Sequence, residues 1–192
     1  MTRRSPDREA PLRAWAAALR LRRSNRCRLR RVGVAGGVPT LLVLATIAAP
    51  PAPRLVWNAS PSAPVGLYRV MPGAPVARGD MLLARLPEPW RAFAAGRRYL
   101  PANVPLVKRA AAVAGDDVCA FGPAIFVNGV AVAARGAADP RGRSLPRWDG
   151  CVRLEEGQVL PLMDRADSFD GRYFGVLEAR DVIGRAELLC RR

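Results

Sequence analysis

The chain has 192 residues, no histidine and a single lysine. The first absence excludes Ser-His-Asp and Cys-His catalysis and most zinc sites, each of which needs an imidazole. The scarcity of lysine is as informative. Thirty arginines carry nearly all the positive charge, and Lys108 stands alone among them. A position that needs only a cation is served by arginine; an amine differs because it can give up its proton, which a guanidinium effectively does not. Lys108 is therefore the candidate base. The four cysteines (Cys27, Cys119, Cys151 and Cys190) form no Cys-x-x-Cys pair, which argues against metal or thioredoxin-like chemistry. No metal is expected. Cys119 and Cys151 lie in the body of the chain and are candidates for a disulfide if that body occupies an oxidising compartment.

Charge is plentiful but uneven. Residues 1–31 hold eleven arginines against Asp7 and Glu9, a net +9, which leaves +6 of the total +15 for the rest of the chain. A basic arm can meet phosphates, so a nucleic-acid reading stands beside a membrane one at this point. Residues 32–50 carry no charge, and as a helix they would rise about 28 Å, near the hydrocarbon thickness of a bilayer. The expected organisation is an Arg-rich arm over 1–31, a transmembrane helix over 32–50 and a folded body over 51–192. The positive-inside rule puts the arm in the cytoplasm and the body outside. A cleavable signal peptide, with small residues at Ala48 and Ala49, and a buried core helix are the alternatives. Residues 10–23 fit a basic amphipathic helix on an anionic leaflet, which accounts for the arm without nucleic acid as a partner.

Pro50, Pro51 and Pro53 read as a linker, and the body as short strands divided by glycine and proline. Strands are expected at 66–71, 81–86, 106–113, 118–121, 152–154, 159–163 and 182–189. Two more, 125–127 and 130–133, flank Asn128-Gly129, a strong signal for a two-residue hairpin. Only 89–97 reads as helix. The expected class is mainly β, preceded by one N-terminal apolar helix.

Without histidine, a nucleophilic serine would need another base. A lysine in an apolar, partly desolvated place has its pKa lowered enough to serve. Lys108 lies in the apolar stretch 104–113, where alternation would send its side chain to one face of a strand; a snorkelling surface lysine is the alternative. Ser5 and Ser24 fall in the arm and Ser144 in a Gly/Arg/Pro loop. Ser60 directly precedes Pro61 and Ser62 falls between Pro61 and Pro64, on a stiff turn just beyond the linker.

Asn58-Ala59-Ser60-Pro61-Ser62-Ala63-Pro64-Val65-Gly66-Leu67-Tyr68 resembles the nucleophile box of the signal peptidase I superfamily, the S26 Ser/Lys peptidases. It is most similar to the conjugative-transfer (TraF-type) branch, whose box reads Ser-x-Pro-x-Gly-x-Tyr. Gly79-Asp80-Met81-Leu82 resembles the Gly-Asp strand that follows, and Lys108-Arg109 through Gly115-Asp116 resembles the box that carries the base. Val127-Asn128-Gly129 and Ser168-Phe169-Asp170-Gly171-Arg172-Tyr173 complete the ordered set. Gly171 departs from the usual Ser, and Met163-Asp164-Arg165 from a leading Gly-Asp-Asn.

The resemblance implies a signal-peptidase-like antiparallel β domain and a serine endopeptidase without cofactor. Ser62 would attack the scissile carbonyl and Lys108 would accept its proton. The Ser62 N–H and Ser60 hydroxyl would stabilise the oxyanion, Ser168 would orient Lys108, and Asp170 and Arg172 would form a structural ion pair nearby. The implied partners are the membrane and an exported, pilin-like precursor cut beside small residues. The implied location is the bacterial inner membrane, with the catalytic domain periplasmic. Hydrolysis and cyclisation of the product both remain open, as does a general signal peptidase or a non-catalytic assembly factor.

Overall fold

The computed structural model describes residues 10–49 and 51–192, so positions 1–9 of the arm and Pro50, the last position of the expected span, lie outside the described residues. The chain divides at Pro51 and Ala52 into two compact units. The first contains a single helix, α1 (Ala10–Ala48), with Pro39 inside it. Alanine, leucine and arginine dominate its first half and favour helix, so the helix runs through residues 10–23, where a basic amphipathic helix was expected, into the apolar stretch. Arg28–Ala48 is long and apolar enough to cross a membrane. Its two hydroxyls bond back to the helix, Thr40 Oγ1 to the Gly36 carbonyl and Thr46 Oγ1 to that of Val43, both at 2.8 Å. That pattern leaves no side-chain hydroxyl of this stretch without a partner.

The second unit holds β1 (Leu55–Asn58), β2 (Gly66–Pro72), β3 (Met81–Ala84), α2 (Trp90–Gly96), β4 (Leu106–Ala112), β5 (Asp117–Phe121), β6 (Ala124–Val127) and β7 (Val130–Ala134). It continues with β8 (Gly150–Arg153), β9 (Leu160–Leu162), α3 (Gly171–Phe174) and β10 (Val182–Arg191). All pairings are antiparallel. They form a six-stranded sheet in the order β1-β2-β10-β3-β4-β9 and a four-stranded sheet in the order β7-β6-β5-β8. The fold class is the expected one, mainly antiparallel β with one N-terminal apolar helix.

The expected strands are present with shifted ends. Asn128 and Gly129 both take positive φ, 49° and 77°, as a two-residue hairpin turn between β6 and β7 requires. Two elements were not expected. Leu55–Asn58 was given no strand, yet it pairs with β2 in the register Asn58↔Gly66, so residues 59–65 become the loop of a hairpin. The single turn of α3 begins at Asp170, whose carboxylate accepts from the Arg172 N–H and caps it.

Three packed clusters hold the second unit together. One of them, Ala63, Tyr68, Val70, Leu83, Val107, Met163 and Ala186, ties the 59–65 loop to strands β2, β3, β4 and β10. Burying each such aliphatic side chain contributes about 1.5–3 kcal/mol. An aromatic group fixes the segment around α3. Phe169 lies 5.7 Å from Phe93, 5.2 Å from Tyr99, 5.8 Å from Tyr173 and 5.6 Å from Phe174, centroid to centroid. Such contacts hold residues 168–175 against α2 and the base of the larger sheet.

Candidate active site

The 59–65 loop is held from inside by one side chain. Asn58, almost fully buried, donates from Nδ2 to the carbonyls of Ser60 (2.9 Å), Ala63 (3.2 Å) and Pro64 (3.1 Å), and its Oδ1 accepts from the Ser60 N–H at 3.1 Å. Tyr68, buried in β2, donates its hydroxyl to the Pro64 carbonyl at 2.9 Å. The loop therefore leaves the sheet, turns through Pro61-Ser62 and returns with its backbone fixed at both ends. Sequence reasoning placed Asn58 in the box without giving it a task. An asparagine ending a strand before a Ser/Pro turn is suited to bridging local backbone groups, and that was the available signal. Replacing it with alanine strands three backbone groups, the Ser60 N–H and the Ser60 and Ala63 carbonyls, while the Pro64 carbonyl keeps Tyr68. The expected result is a loss of about 1–3 kcal/mol of stability and a lower kcat, measured by thermal melting and by turnover.

Three hydroxyls and one amine converge at this loop. Lys108, on β4, is 5% exposed. Its Nζ donates to Ser62 Oγ at 2.9 Å and to Ser168 Oγ at 2.7 Å. Ser60 Oγ lies 3.0 Å from Ser62 Oγ and accepts from the Ser62 N–H at 3.4 Å. Burial pushes the Lys108 amine down from 10.5 to about 8. The nearby Asp170 carboxylate opposes that shift, the Arg172 guanidinium adds to it, and Asp167 opposes it weakly. An amine so placed reaches its neutral form far more readily than an exposed lysine and lies within reach of a hydroxyl proton. The expected alternation along β4 does not by itself single out Lys108, because Leu106 and Val107 are buried as well.

Asp170 and Arg172 lie beside this group, with side chains 0% and 2% exposed. Arg172 Nε donates to Asp170 Oδ1 at 2.8 Å and Nη2 to Oδ2 at 3.2 Å. The remaining Arg172 donors reach the carbonyls of Met163, Ala134 and Ala166, and Asp170 Oδ2 accepts from the Met163 N–H at 3.0 Å. One fully satisfied pair therefore links the end of β7, the segment after β9 and α3. Asp170→Ala leaves the guanidinium buried without its counter-charge. The expected cost is about 3–5 kcal/mol, read as a fall in the denaturation midpoint.

Gly171, the departure from the family's usual serine, has a steric reason. A Cβ there would sit 2.7 Å from the Pro161 carbonyl oxygen and 2.8 Å from Leu160 Cδ1, and the Gly171 carbonyl accepts from Trp148 Nε1 at 2.9 Å.

Of the residues named from sequence, Ser60, Ser62, Lys108 and Ser168 thus come together, with Asp170 and Arg172 adjoining them. Cys119 and Cys151 take no part in that cluster. They are joined by a disulfide across the directly paired strands β5 and β8 of the smaller sheet. Asp116, from the Gly-Asp box, is structural: it accepts from the Val113 N–H at 2.9 Å and Asn128 Nδ2 at 3.0 Å and pairs with Arg78.

The chain belongs to the signal peptidase family, peptidase S26, whose family model matches residues 29–190. Membership of that family implies serine peptidase activity. The chain is 39% identical over 82 residues to a plasmid transfer protein TraF of Escherichia coli, a match that takes in 41% of this chain and 46% of the relative. It thus spans about half the length of that curated relative. A crystal structure of a signal peptidase I from Enterococcus faecalis aligns with 58% of this chain and 96% of its own, at 20% identity and a TM-score of 0.33.

Proposed function

We propose that this chain is a membrane-anchored serine endopeptidase in which Ser62 is the nucleophile and Lys108 the general base, and that its substrate is an exported, pilin-like precursor. The observation that carries the reading is the 2.9 Å approach of Lys108 Nζ to Ser62 Oγ at a buried position. In the neutral form, Nζ takes the hydroxyl proton as Oγ attacks the scissile carbonyl, and the resulting ammonium returns that proton to the leaving amine. The acyl-enzyme is then opened by water, or by an amine of the substrate itself, which would close the product into a ring. The Ser62 N–H and the Ser60 hydroxyl, already near one another, would face the oxyanion, each contributing on the order of 2.7–4 kcal/mol to the transition state. Ser168, at 2.7 Å, would hold the amine in line.

The TraF relative supports a role in plasmid transfer and hence a pilin-like substrate. Arg28–Ala48 supports anchoring by one span, with residues 1–31 cytoplasmic and 51–192 periplasmic at the bacterial inner membrane. The Cys119–Cys151 disulfide is compatible with that side, which is oxidising. An anchor confines enzyme and precursor to one plane and raises their effective concentration.

Since the base acts as a neutral amine, kcat/KM should rise with pH through a limb near 8 and level off above it. Peptide cleavage measured across that range is the test. A profile that falls as pH rises through 8 would rule out Lys108 as the base. Processing of a co-expressed pilin precursor in membranes separates the substrate readings, since a general signal peptidase would also restore growth of a signal-peptidase-deficient cell.

A further inference from the structure

The cleft beside Ser62 is more cationic than attack on a peptide bond requires. It encloses about 370 Å³, and its charged lining consists of Arg109, Arg165, Arg191, Arg192 and Asp164. Two of those arginines already hold carboxylates. Arg109 grips Asp164 with both terminal nitrogens, at 2.7 and 2.9 Å, and Arg165 grips Asp167 at 2.9 and 2.7 Å. Arg191 and Arg192 have no acidic partner among the described residues.

Strand pairing puts these two at the cleft. Arg191 pairs with Gly66, and the Arg192 N–H donates to the Val65 carbonyl at 3.0 Å. The end of β10 is thereby pressed against the loop that carries Ser62. Gly66 makes that approach possible, because a Cβ there would collide with the Cys190 carbonyl oxygen. The glycine of the Ser-Ala-Pro-Val-Gly box thus has a physical task, which is to let a strand bearing unpaired cations lie beside the nucleophile.

A guanidinium with no carboxylate of its own, in a cleft that receives a peptide, favours an acidic group in what is bound and offers a planar fork to it. We propose that Arg191, reinforced by Arg192, selects substrates that carry an acidic side chain within a few residues of the scissile bond. The proposal rests on Ser62 being the nucleophile, since that is what makes this cleft the path of the substrate. Anionic lipid headgroups would attract the same cations, but the shared cleft with Ser62 favours the substrate.

The test uses the full chain carrying Ser62→Ala in uncharged detergent, so that binding is read without cleavage. Fluorescent alanine-rich peptides carry one Glu, or Gln in its place, on the N-terminal or the C-terminal side of an Ala-Ala bond. One Glu peptide should bind about two- to fivefold more tightly than its Gln counterpart at low ionic strength, and salt should erode the difference. Arg191→Gln should bring the ratio close to one, and Arg191→Glu should turn it in favour of a Lys peptide. Equal affinity for Glu and Gln on both sides overturns the proposal, as does a preference that survives Arg191→Gln combined with Arg192→Gln. Weaker retention of Arg191→Gln on phosphatidylglycerol vesicles, with Glu and Gln peptides bound equally, assigns the arginines to lipid and equally overturns it. An acid preference kept by the Ser62→Ala chain, with no cleavage by the Ser62 chain, instead counts against the peptidase reading alone.

Discussion

Membranes containing the Ser62→Ala chain at wild-type levels should leave a co-expressed precursor unprocessed, with a fall in turnover of roughly 10⁴- to 10⁶-fold. The size follows from the chemistry: without Oγ there is no acyl-enzyme, and only binding and oxyanion stabilisation remain. The substitution should hardly disturb the fold. Ser62 is half-buried on a loop whose backbone is fixed by Asn58 and Tyr68, and Lys108 keeps Ser168 as an acceptor. Melting temperature and membrane level are the controls. Normal processing by Ser62→Ala would remove the nucleophile assignment and favour a non-catalytic assembly role.

Lys108→Met should move activity and stability in opposite directions. Activity should fall about as far as in Ser62→Ala, because no other lysine and no histidine is present in the chain to serve as base. Stability at neutral pH should rise, on the order of 1–3 kcal/mol, because a buried ammonium is replaced by an apolar side chain of similar length. The pH dependence carries the sign. The folded-state value of about 8 lies below the ordinary lysine value of 10.5, so between those limits the unfolded chain binds more protons. Wild-type stability should therefore rise with pH across that window, with the full penalty present below about 8. The Met variant lacks this rise, so its advantage should shrink as pH approaches 10.5. Denaturant titrations at several pH values measure it. Equal stability of the two chains at every pH would mean that Lys108 is not held in a desolvated place.

The sequence was most readable where one residue carried a chemical distinction. The lone lysine pointed to the buried amine of β4, and Asn128-Gly129 announced its hairpin. Local patterns also placed most strands to within a few residues. What local pattern could not supply was order across the sheet. Strand β10 lies between β2 and β3, a pairing between residues more than a hundred positions apart, and this crossover sets Arg191 beside Gly66. Strand β1 was hidden because four residues after a proline-rich stretch carry too little periodicity; its pairing with β2 reveals it. The one-turn α3 was hidden for the same reason, being specified by the Asp170 cap and the packing of Phe169 rather than by a repeat. In the first unit the expected basic amphipathic helix over residues 10–23 and the apolar stretch beyond it lie on one continuous helix, because hydropathy marks a span and not where the helical backbone begins.

The most direct test of the Ser62–Lys108 account is a rapid-quench experiment with a cleavable precursor peptide, followed by digestion at arginine and mass spectrometry of residues 55–69, which contain both Ser60 and Ser62. The account predicts a transient mass increase equal to the acyl half of the substrate, located on Ser62, absent from Ser62→Ala and slowed strongly in Lys108→Met. An adduct on Ser60, or one that forms at the wild-type rate without the lysine amine, would contradict it.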